Sequence, residues 1–282
     1  MTGQKRIFEN ASQLSHPRQL VCEMWADLMQ ARYLAKTLAV RDISAKYRQT
    51  FLGIAWVFLP PLATTMAFVI LQKQQILSSG VEDVSYPVFA MVGVVFWQLF
   101  SESVMAPLQM VQSSKSLLAK ILFPREALLL AAMYQVLFNF GVKLLLMTIA
   151  MFILGVSPAG TVIFVPIAAM GLLMLGFLIG IILVPIGILY QDVLFSLGVL
   201  LMLLMFLTPV GFAQPETGWI AEITRWNPVA PLLQCARDWM LAGPSESVYG
   251  LVWVLAGTVV FMGAGWVLYR LSFPIAVERM GN

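Results

Sequence analysis

The sequence predicts an all-α polytopic membrane protein with six transmembrane helices, an N-terminal amphipathic interfacial helix and short re-entrant helices before the last span. Of the 282 residues, 60% are hydrophobic and only 11% are charged, against about 25% in an average soluble domain. The mean hydropathy is +0.86, and apolar runs of about 20 residues suit helices that cross a hydrocarbon core of roughly 30 Å. The charge-free stretches therefore locate the spans.

Residues 1–48 are predicted to form a cytoplasmic leader and a helix on the membrane surface. Several apolar residues between 21 and 48 fall on one side of a helix at 100° per residue. Arg32 and Lys36 fall on that side too, and a break near Lys36 would remove the conflict. Either the helix also contacts a cytoplasmic partner, or its basic residues snorkel and only anchor it. The apolar side consists of Trp25, Leu28, Met29, Tyr33, Val40, Ile43 and Tyr47.

Six charge-poor windows within residues 49–272 define the predicted transmembrane domain. They are 49–72, 84–101 with a continuation to about 111, two spans within 127–191 separated by the turn GVSPAG at 155–160, then 193–215 and 247–269. Six spans put both termini on one side. If that side is the cytoplasm, 13 lysines and arginines lie on inner segments and three on outer segments, as the positive-inside rule requires. Residues 273–282 then form a cytoplasmic tail.

Pro60 and Pro61 lie in the middle of the first predicted span. Each proline removes a helical hydrogen bond and clashes with the preceding turn, so a kinked or locally opened helix is expected. The bend either shapes a pathway or hinge, or is a static kink that neighbouring helices tolerate.

The outer segment 213–246 is predicted to dip into the membrane. It holds Trp219, Trp226 and Trp239 and the apolar run PVAPLL, but it is too short to cross and return as full helices. One or two short re-entrant helices with aromatic rings at headgroup level, or an ordinary surface loop with interfacial tryptophans, remain open.

The inner segment 112–126 joins the second and third spans and is basic. Pro124 marks a helix boundary there. A short helix at the inner surface could transmit motion to a docked partner, although a passive loop also fits. The candidate coupling residues are Lys115, Lys120, Phe123, Pro124, Arg125 and Glu126.

Catalytic and nucleotide-binding motifs are absent from the sequence. It has no P-loop and no G-x-S-x-G or H-E-x-x-H motif. His16, Cys22 and Cys235 are its only histidine and cysteines, so no metal cluster is expected. We therefore expect a chain that is no enzyme and binds no cofactor itself; any ATP must be bound by another chain.

Polar and aromatic residues inside the spans are further candidates. Glu102 lies either at the membrane interface or inside the bundle. Lys143 either snorkels from mid-span to the membrane surface or contacts a neighbouring carboxylate or an anionic substrate. Aromatic rings in the first three spans could stack on sugars in a water-filled passage, or simply pack against lipid and neighbouring helices. The channel-lining candidates are Trp56, Phe96, Trp97, Phe100, Tyr134 and Phe138.

Four stretches together resemble one family of transport proteins. They are RDISAKYRQTFLGIAWVFLPPL at 41–62, LLAKILFPREALLL at 117–130, YQDV at 190–193 and WNPVAPLL at 226–233. The chain resembles the permease subunits of type-two ATP-binding-cassette exporters of polysaccharides and polyol phosphates, which include O-antigen and teichoic acid exporters. Gln191 replaces the usual arginine of the third stretch, which puts a charge contact there in doubt.

The resemblance implies a homodimer with two separate ATPase subunits that hold ATP and Mg. Together they would move an undecaprenyl-pyrophosphate-linked glycan across the inner membrane of a bacterium, with membrane lipid but no nucleic acid as a further partner. Arg41, Lys46 and Arg48 are then candidates for the lipid pyrophosphate, or for anionic phospholipid. The alternatives are an exporter of capsule, teichoic acid, lipid or drug, an ATP-independent channel, and a membrane glycan-processing enzyme.

Overall fold

The computed structural model describes residues 17–48, 50–76, 84–115, 124–214 and 217–280. All regular elements within these ranges are helical. Two short 3-10 turns, Gly53–Val57 and Gly160–Phe164, precede α2 and α5. The α-helices are α1 (Pro17–Arg48), α2 (Leu59–Lys73), α3 (Tyr86–Ser113), α4 (Glu126–Ile153), α5 (Val165–Leu189), α6 (Asp192–Leu207), α7 (Trp219–Trp226), α8 (Val229–Leu241) and α9 (Val248–Met280).

In the described part of the chain, five helical segments are long and apolar enough to cross a membrane. They are Gly53–Lys73, Tyr86–Ser113, Glu126–Ile153, Gly160–Leu189 and Val248–Phe273, close to the charge-free windows of the sequence. The predicted span at 193–215 is shorter than expected, because α6 ends at Leu207 and the backbone of Thr208 is extended. The sixth helix is therefore apolar but only 16 residues long.

Helix α3 is the centre of the bundle. In its most apolar stretch 78% of the residues are buried, compared with 22% in the first span and 17% in the last. Helix α5 packs closely on α3 at Gly176 and Gly180, where an added Cβ would lie 2.6 Å from Ser103 Cβ and 2.6 Å from Val104 O, respectively. Small residues allow such close approach between membrane helices.

Helix α1 runs unbroken from Pro17 to Arg48, so the break considered near Lys36 is not present. It packs against α4. Its buried residues are mostly small, and include Ala31, Ala35 and Ala39, whereas Trp25 and Tyr33 are exposed. Much of the predicted apolar side thus points away from the bundle, because close packing against α4 selects small side chains.

The double proline does not kink a helix. Pro60 and Pro61 lie in the first turn of α2, directly after the 3-10 turn. Proline is tolerated there because the first N–H groups of a helix have no intrahelical acceptor. The predicted kink at the prolines is therefore wrong. The alternative of a locally opened span agrees with the interruption of the helix, which lies before the prolines, at Phe58.

The helix ends form two distinct ends of the bundle. The basic end carries Lys115, Arg125 and Arg270, and the tryptophan end carries α7 and α8 with Trp219, Trp226 and Trp239. Helix α8 is joined to the connection between α4 and α5, since Ala159 N donates to Met240 O at 2.9 Å.

Candidate functional site

Arg270 joins three helices at the basic end. Its guanidinium lies 2.9 Å from Asp27 Oδ2 on α1 and 3.1 Å from Glu126 Oε1 at the start of α4. Arg125 Nη1 donates to the backbone carbonyl of Arg270 at 3.3 Å. We call Asp27, Arg125, Glu126 and Arg270 the basic-end cluster; it links α1, α4 and α9 through side-chain contacts.

Burial makes the basic-end cluster sensitive to the loss of one member. The Glu126 side chain is 5% exposed and that of Arg270 is 11% exposed. Removing one partner of a buried ion pair leaves an uncompensated charge, which is strongly destabilising. Burial also lowers the pKa of the Arg125 guanidinium. This guanidinium lies over the ring of Phe273, 5.6 Å from the ring centre.

The inner segment 112–126 is attached to the bundle on both sides. On the α3 side, Lys115 Nζ donates to Ile188 O at 3.1 Å and Gln112 Nε2 donates to Gly187 O at 3.1 Å. These carbonyls lie in the last turn of α5, where free acceptors and the helix dipole favour a cation. On the α4 side, Glu126 belongs to the basic-end cluster.

The predicted coupling residues are therefore only partly described. Lys115, Pro124, Arg125 and Glu126 flank residues 116–123, while Lys120 and Phe123 lie outside the described residues. Their contact with an ATPase stays a prediction.

A second polar network lies between α1, α3 and α4. Tyr47 OH donates to Asn139 Oδ1 at 3.2 Å, and Asn139 Nδ2 donates to Glu102 Oε2 at 3.2 Å. Lys143 forms an ion pair with Glu102 Oε1. We call Tyr47, Glu102, Asn139 and Lys143 the mid-bundle network. Of the alternatives considered for Lys143, this structure shows the contact with a neighbouring carboxylate.

The candidate phosphate-binding residues lie near the C-terminal end of α1, as Tyr47 does. Arg41, Lys46 and Arg48 are exposed. The Arg41 guanidinium is 2.7 Å from Asp42 Oδ1, and the Lys46 ammonium is 5.7 Å from the centre of the Tyr47 ring. Burial and the Glu102 carboxylate raise the pKa of Tyr47, so this phenol stays a neutral hydrogen-bond donor.

Comparison with known proteins assigns the family. The chain is 30% identical over 188 residues to the O-antigen export system permease protein RfbA of Myxococcus xanthus, with 65% of this chain and 70% of that protein covered. Two proteins of the same name from Klebsiella pneumoniae are each 25% identical over 254 residues, which is 86% of this chain and 95% of theirs. No protein-family model matches the chain.

The chain belongs to the O-antigen export permease family. This confirms the resemblance drawn from the four motifs, and it makes the protein a permease subunit of a type-two ATP-binding-cassette exporter. The permease is a multi-pass membrane protein, and its relatives are named as transport proteins rather than as enzymes.

The aromatic candidates of the permease fall into two groups. Phe96, Trp97 and Phe100 are buried inside the protomer, where Phe96 contacts Phe140 with ring centres 5.7 Å apart. These rings pack against the same chain in this conformation. Their role as channel lining stays a prediction, and so does that of the more accessible Trp56, Tyr134 and Phe138.

At the tryptophan end of the permease, Arg237 of α8 holds the segment that follows α6. Its guanidinium donates to Val210 O and Phe212 O at 3.3 Å each and to Pro209 O. It also lies 4.2 Å from the ring centre of Phe89 on α3. Burial lowers the pKa of this guanidinium to about 10. The outer segment 213–246 thus contains two short helices, α7 and α8, fixed to α6 and α3.

Arg270, Asp27 and Arg237 were not among the predicted site residues. Arg270 and Arg237 had been counted only for membrane sidedness. An isolated charged residue next to an apolar run signals a membrane boundary, but it does not reveal its partner when that partner is 144 residues away, as for Arg270 and Glu126. The sequence did indicate that each of these charged residues lies within or next to a helix, and each of these helices must pack against others.

Proposed function

We propose that the chain is the membrane-spanning subunit of an ATP-driven exporter that moves a lipid-linked polysaccharide of the O-antigen kind across the bacterial inner membrane. Two copies pair with each other and with two ATPase subunits that bind ATP and Mg. The carrying observation is the basic-end cluster, which ties α1, α4 and α9 together in a chain whose relatives are O-antigen export permeases. Two of its members, Arg125 and Glu126, follow residues 116–123 closely in the sequence.

The proposed topology has six crossings with both termini and the basic end in the cytoplasm. Helix α6 is the shortest crossing: its 16 residues span about 24 Å at 1.5 Å per residue. The distribution of lysine and arginine supports the orientation. Helix α1 then follows the first half of α4 from the basic end, from Asp27 near Glu126 to Tyr47 beside Asn139. Helices α7 and α8 are short helices that dip into the outer leaflet.

In the proposed mechanism, closure of the ATPase pair pushes on the inner segment 112–126. Lys115 passes this motion to the end of α5, and Glu126 passes it through Arg270 to α9 and α1. Packed helices move as bodies between two discrete arrangements. ATP binding can shift the equilibrium only if the two arrangements differ in their contacts with the partner.

The proposed entry site for the lipid pyrophosphate is the exposed end of α1. Arg41, Lys46 and Arg48 are exposed there, and basic side chains near the inner leaflet attract phosphate groups. Arg41 already pairs with Asp42, so Lys46 and Arg48 are the stronger candidates for binding the substrate.

The test is reconstitution with a candidate ATPase subunit from the same organism. We expect the two chains to copurify, to hydrolyse ATP and to export glycan in cells that lack their own exporter. Cells with an ATPase variant that cannot hydrolyse ATP are the matched control and should retain glycan inside. Stable purification without any ATPase, combined with export that needs no ATP, would contradict the proposal in favour of a channel.

A further inference from the structure

One half of α3 is enclosed and the other half has an open side. From Val88 to Trp97 the residues of α3 are buried on all sides. From Gln98 to Ser113 the positions that are not buried recur every three or four residues, so they share one side of the helix, about 120° wide. These positions are Gln98, Ser101, Glu102, Met105, Gln109, Gln112 and Ser113.

The open side is polar although the helix is apolar. Met105 is the only apolar residue among the seven, and Ser103 is the only polar residue of this half that is buried instead, where it donates to Leu99 O at 2.7 Å. We call Gln98, Ser101, Glu102 and Gln109 the polar stripe. It begins near the middle of α3 and extends about 17 Å towards the basic end.

A polar stripe of this kind does not suit contact with lipid tails. Hydrogen-bonding side chains at membrane depth face a bundle interior or water. The Glu102 side chain is 34% exposed even though Lys143 pairs with it. This partly exposed carboxylate is therefore accessible on this side to a ligand or to water.

The chemistry of the stripe discriminates between ligand classes. Two amides and one hydroxyl donate and accept hydrogen bonds, and Lys143 balances the Glu102 charge. An apolar drug or a lipid tail would leave these groups unpaired, at a cost for each. A hydroxyl-rich sugar chain can pair with every member without a single fixed register.

We propose that the polar stripe of α3 lines the inner part of the passage and binds the hydroxyl groups of the carbohydrate chain. This inference rests on the proposed export function and assigns residues to it. Gln98 is the member of the stripe farthest from the basic end, and it is next to the buried rings of Phe96 and Trp97. The enclosed half of α3 continues from there, away from the basic end.

Two serines of the same helix provide a matched test. Ser101 lies on the stripe and Ser103 on the buried side, at nearly the same depth. The variants Ser101→Cys and Ser103→Cys are labelled with a membrane-impermeant methanethiosulfonate in the complex with its ATPase, in inverted vesicles. We expect labelling of Ser101→Cys and of Gln109→Cys, with background labelling for Ser103→Cys and for Leu203→Cys on the exposed apolar side of α6.

The carbohydrate part is tested by protection. Ser101→Cys is labelled in cells that make the glycan while an ATPase variant without hydrolysis arrests export, and in cells that make no glycan. We expect labelling to be lost only when the glycan is present. Labelling that persists with the glycan overturns the assignment of the occupant.

Two other outcomes overturn the inference itself. Reaction of Ser101→Cys only with a membrane-soluble maleimide would mean that the stripe faces lipid. A spontaneous disulfide between two copies of Ser101→Cys would mean that it is a contact between protomers. The labelling experiment measures water access independently of export. If the proposed function itself were wrong, the wild-type protein would neither bind the ATPase nor export glycan, which is a separate result.

Discussion

The two ends of the bundle are held together by different chemistry. At the basic end, charged side chains of three helices pair with one another around Arg270. At the tryptophan end, Arg237 donates to the carbonyls of one short backbone segment. Ion pairs between side chains can be exchanged when helices shift, whereas three carbonyls of one short segment hold a planar guanidinium in one geometry. The difference suggests a movable end and a fixed end.

The largest expected effect is the loss of the fixed end. Arg237→Met leaves buried carbonyls without donors, and several unsatisfied polar groups at about 1–3 kcal/mol each should prevent accumulation of folded protein. The measurement is the yield of monodisperse protein in mild detergent and its Tm. Arg225→Met, at an exposed arginine of the neighbouring α7, is the control. A normal Tm for Arg237→Met would show that the segment after α6 is held by other contacts.

Lys143 is expected to have the next largest effect. Lys143→Met leaves Glu102 unpaired between α3 and α4, at a cost of about 3 kcal/mol. The double variant Glu102→Gln with Lys143→Met removes both charges and should have a Tm closer to wild type than the single variant. Lys73→Met, at the exposed end of α2, should change little. Equal Tm values for the single and double variants would contradict a mutual pairing.

Arg270→Gln should separate ATP hydrolysis from export. Glutamine keeps an amide donor for Glu126, which is 5% exposed, and Asp27 is 34% exposed, so we expect a loss of stability of about 2–3 kcal/mol. The complex should still fold and hydrolyse ATP, but export less glycan per ATP. In a double-mutant cycle with Asp27→Asn, the two effects should not add. Arg32→Gln, at an exposed position of α1, is the control. Unchanged export would remove Arg270 from the path of force.

The smallest effect distinguishes two helical glycines. A Cβ on Gly93 of α3 would meet Val210 O, so Gly93→Ala forces the backbone after α6 to shift, at about 1–3 kcal/mol. Gly141→Ala on α4 meets no atom within 4 Å and should raise stability by up to about 1 kcal/mol through helix propensity. Thermal unfolding of both proteins gives the comparison; the same sign for both would argue against close approach at Gly93.

The spans could be predicted because hydropathy reports which segments avoid water. The turn at 155–160, the ends of α3 and α4 and the start of α9 follow the charge-free windows within a few residues. Hydropathy does not report which side of a helix contacts protein, because lipid-facing and buried sides are both apolar. For this reason the sequence could not tell that Phe96, Trp97 and Phe100 are buried within the chain, and their role as channel lining stays a prediction.

The candidate site was less predictable than the fold. The four motifs identified the family, but Arg270 and Asp27 are separated by 243 positions and only packing brings them together. The sequence of α3 did contain a usable signal: Gln98, Ser101, Glu102 and Gln109 recur at helical spacing. Their significance emerges only when the opposite side is known to be covered by α5.

The short length of α6 has a consequence for the surrounding bilayer. In the proposed topology α6 is a crossing about 6 Å shorter than the hydrocarbon core, and its exposed residues, such as Phe195, Val199 and Leu203, are apolar. Hydrophobic mismatch of this size is relieved by local thinning of the lipid. Headgroups of the two leaflets then approach each other beside α6, and a polar cargo on a lipid carrier has less hydrocarbon to traverse there than elsewhere in the membrane.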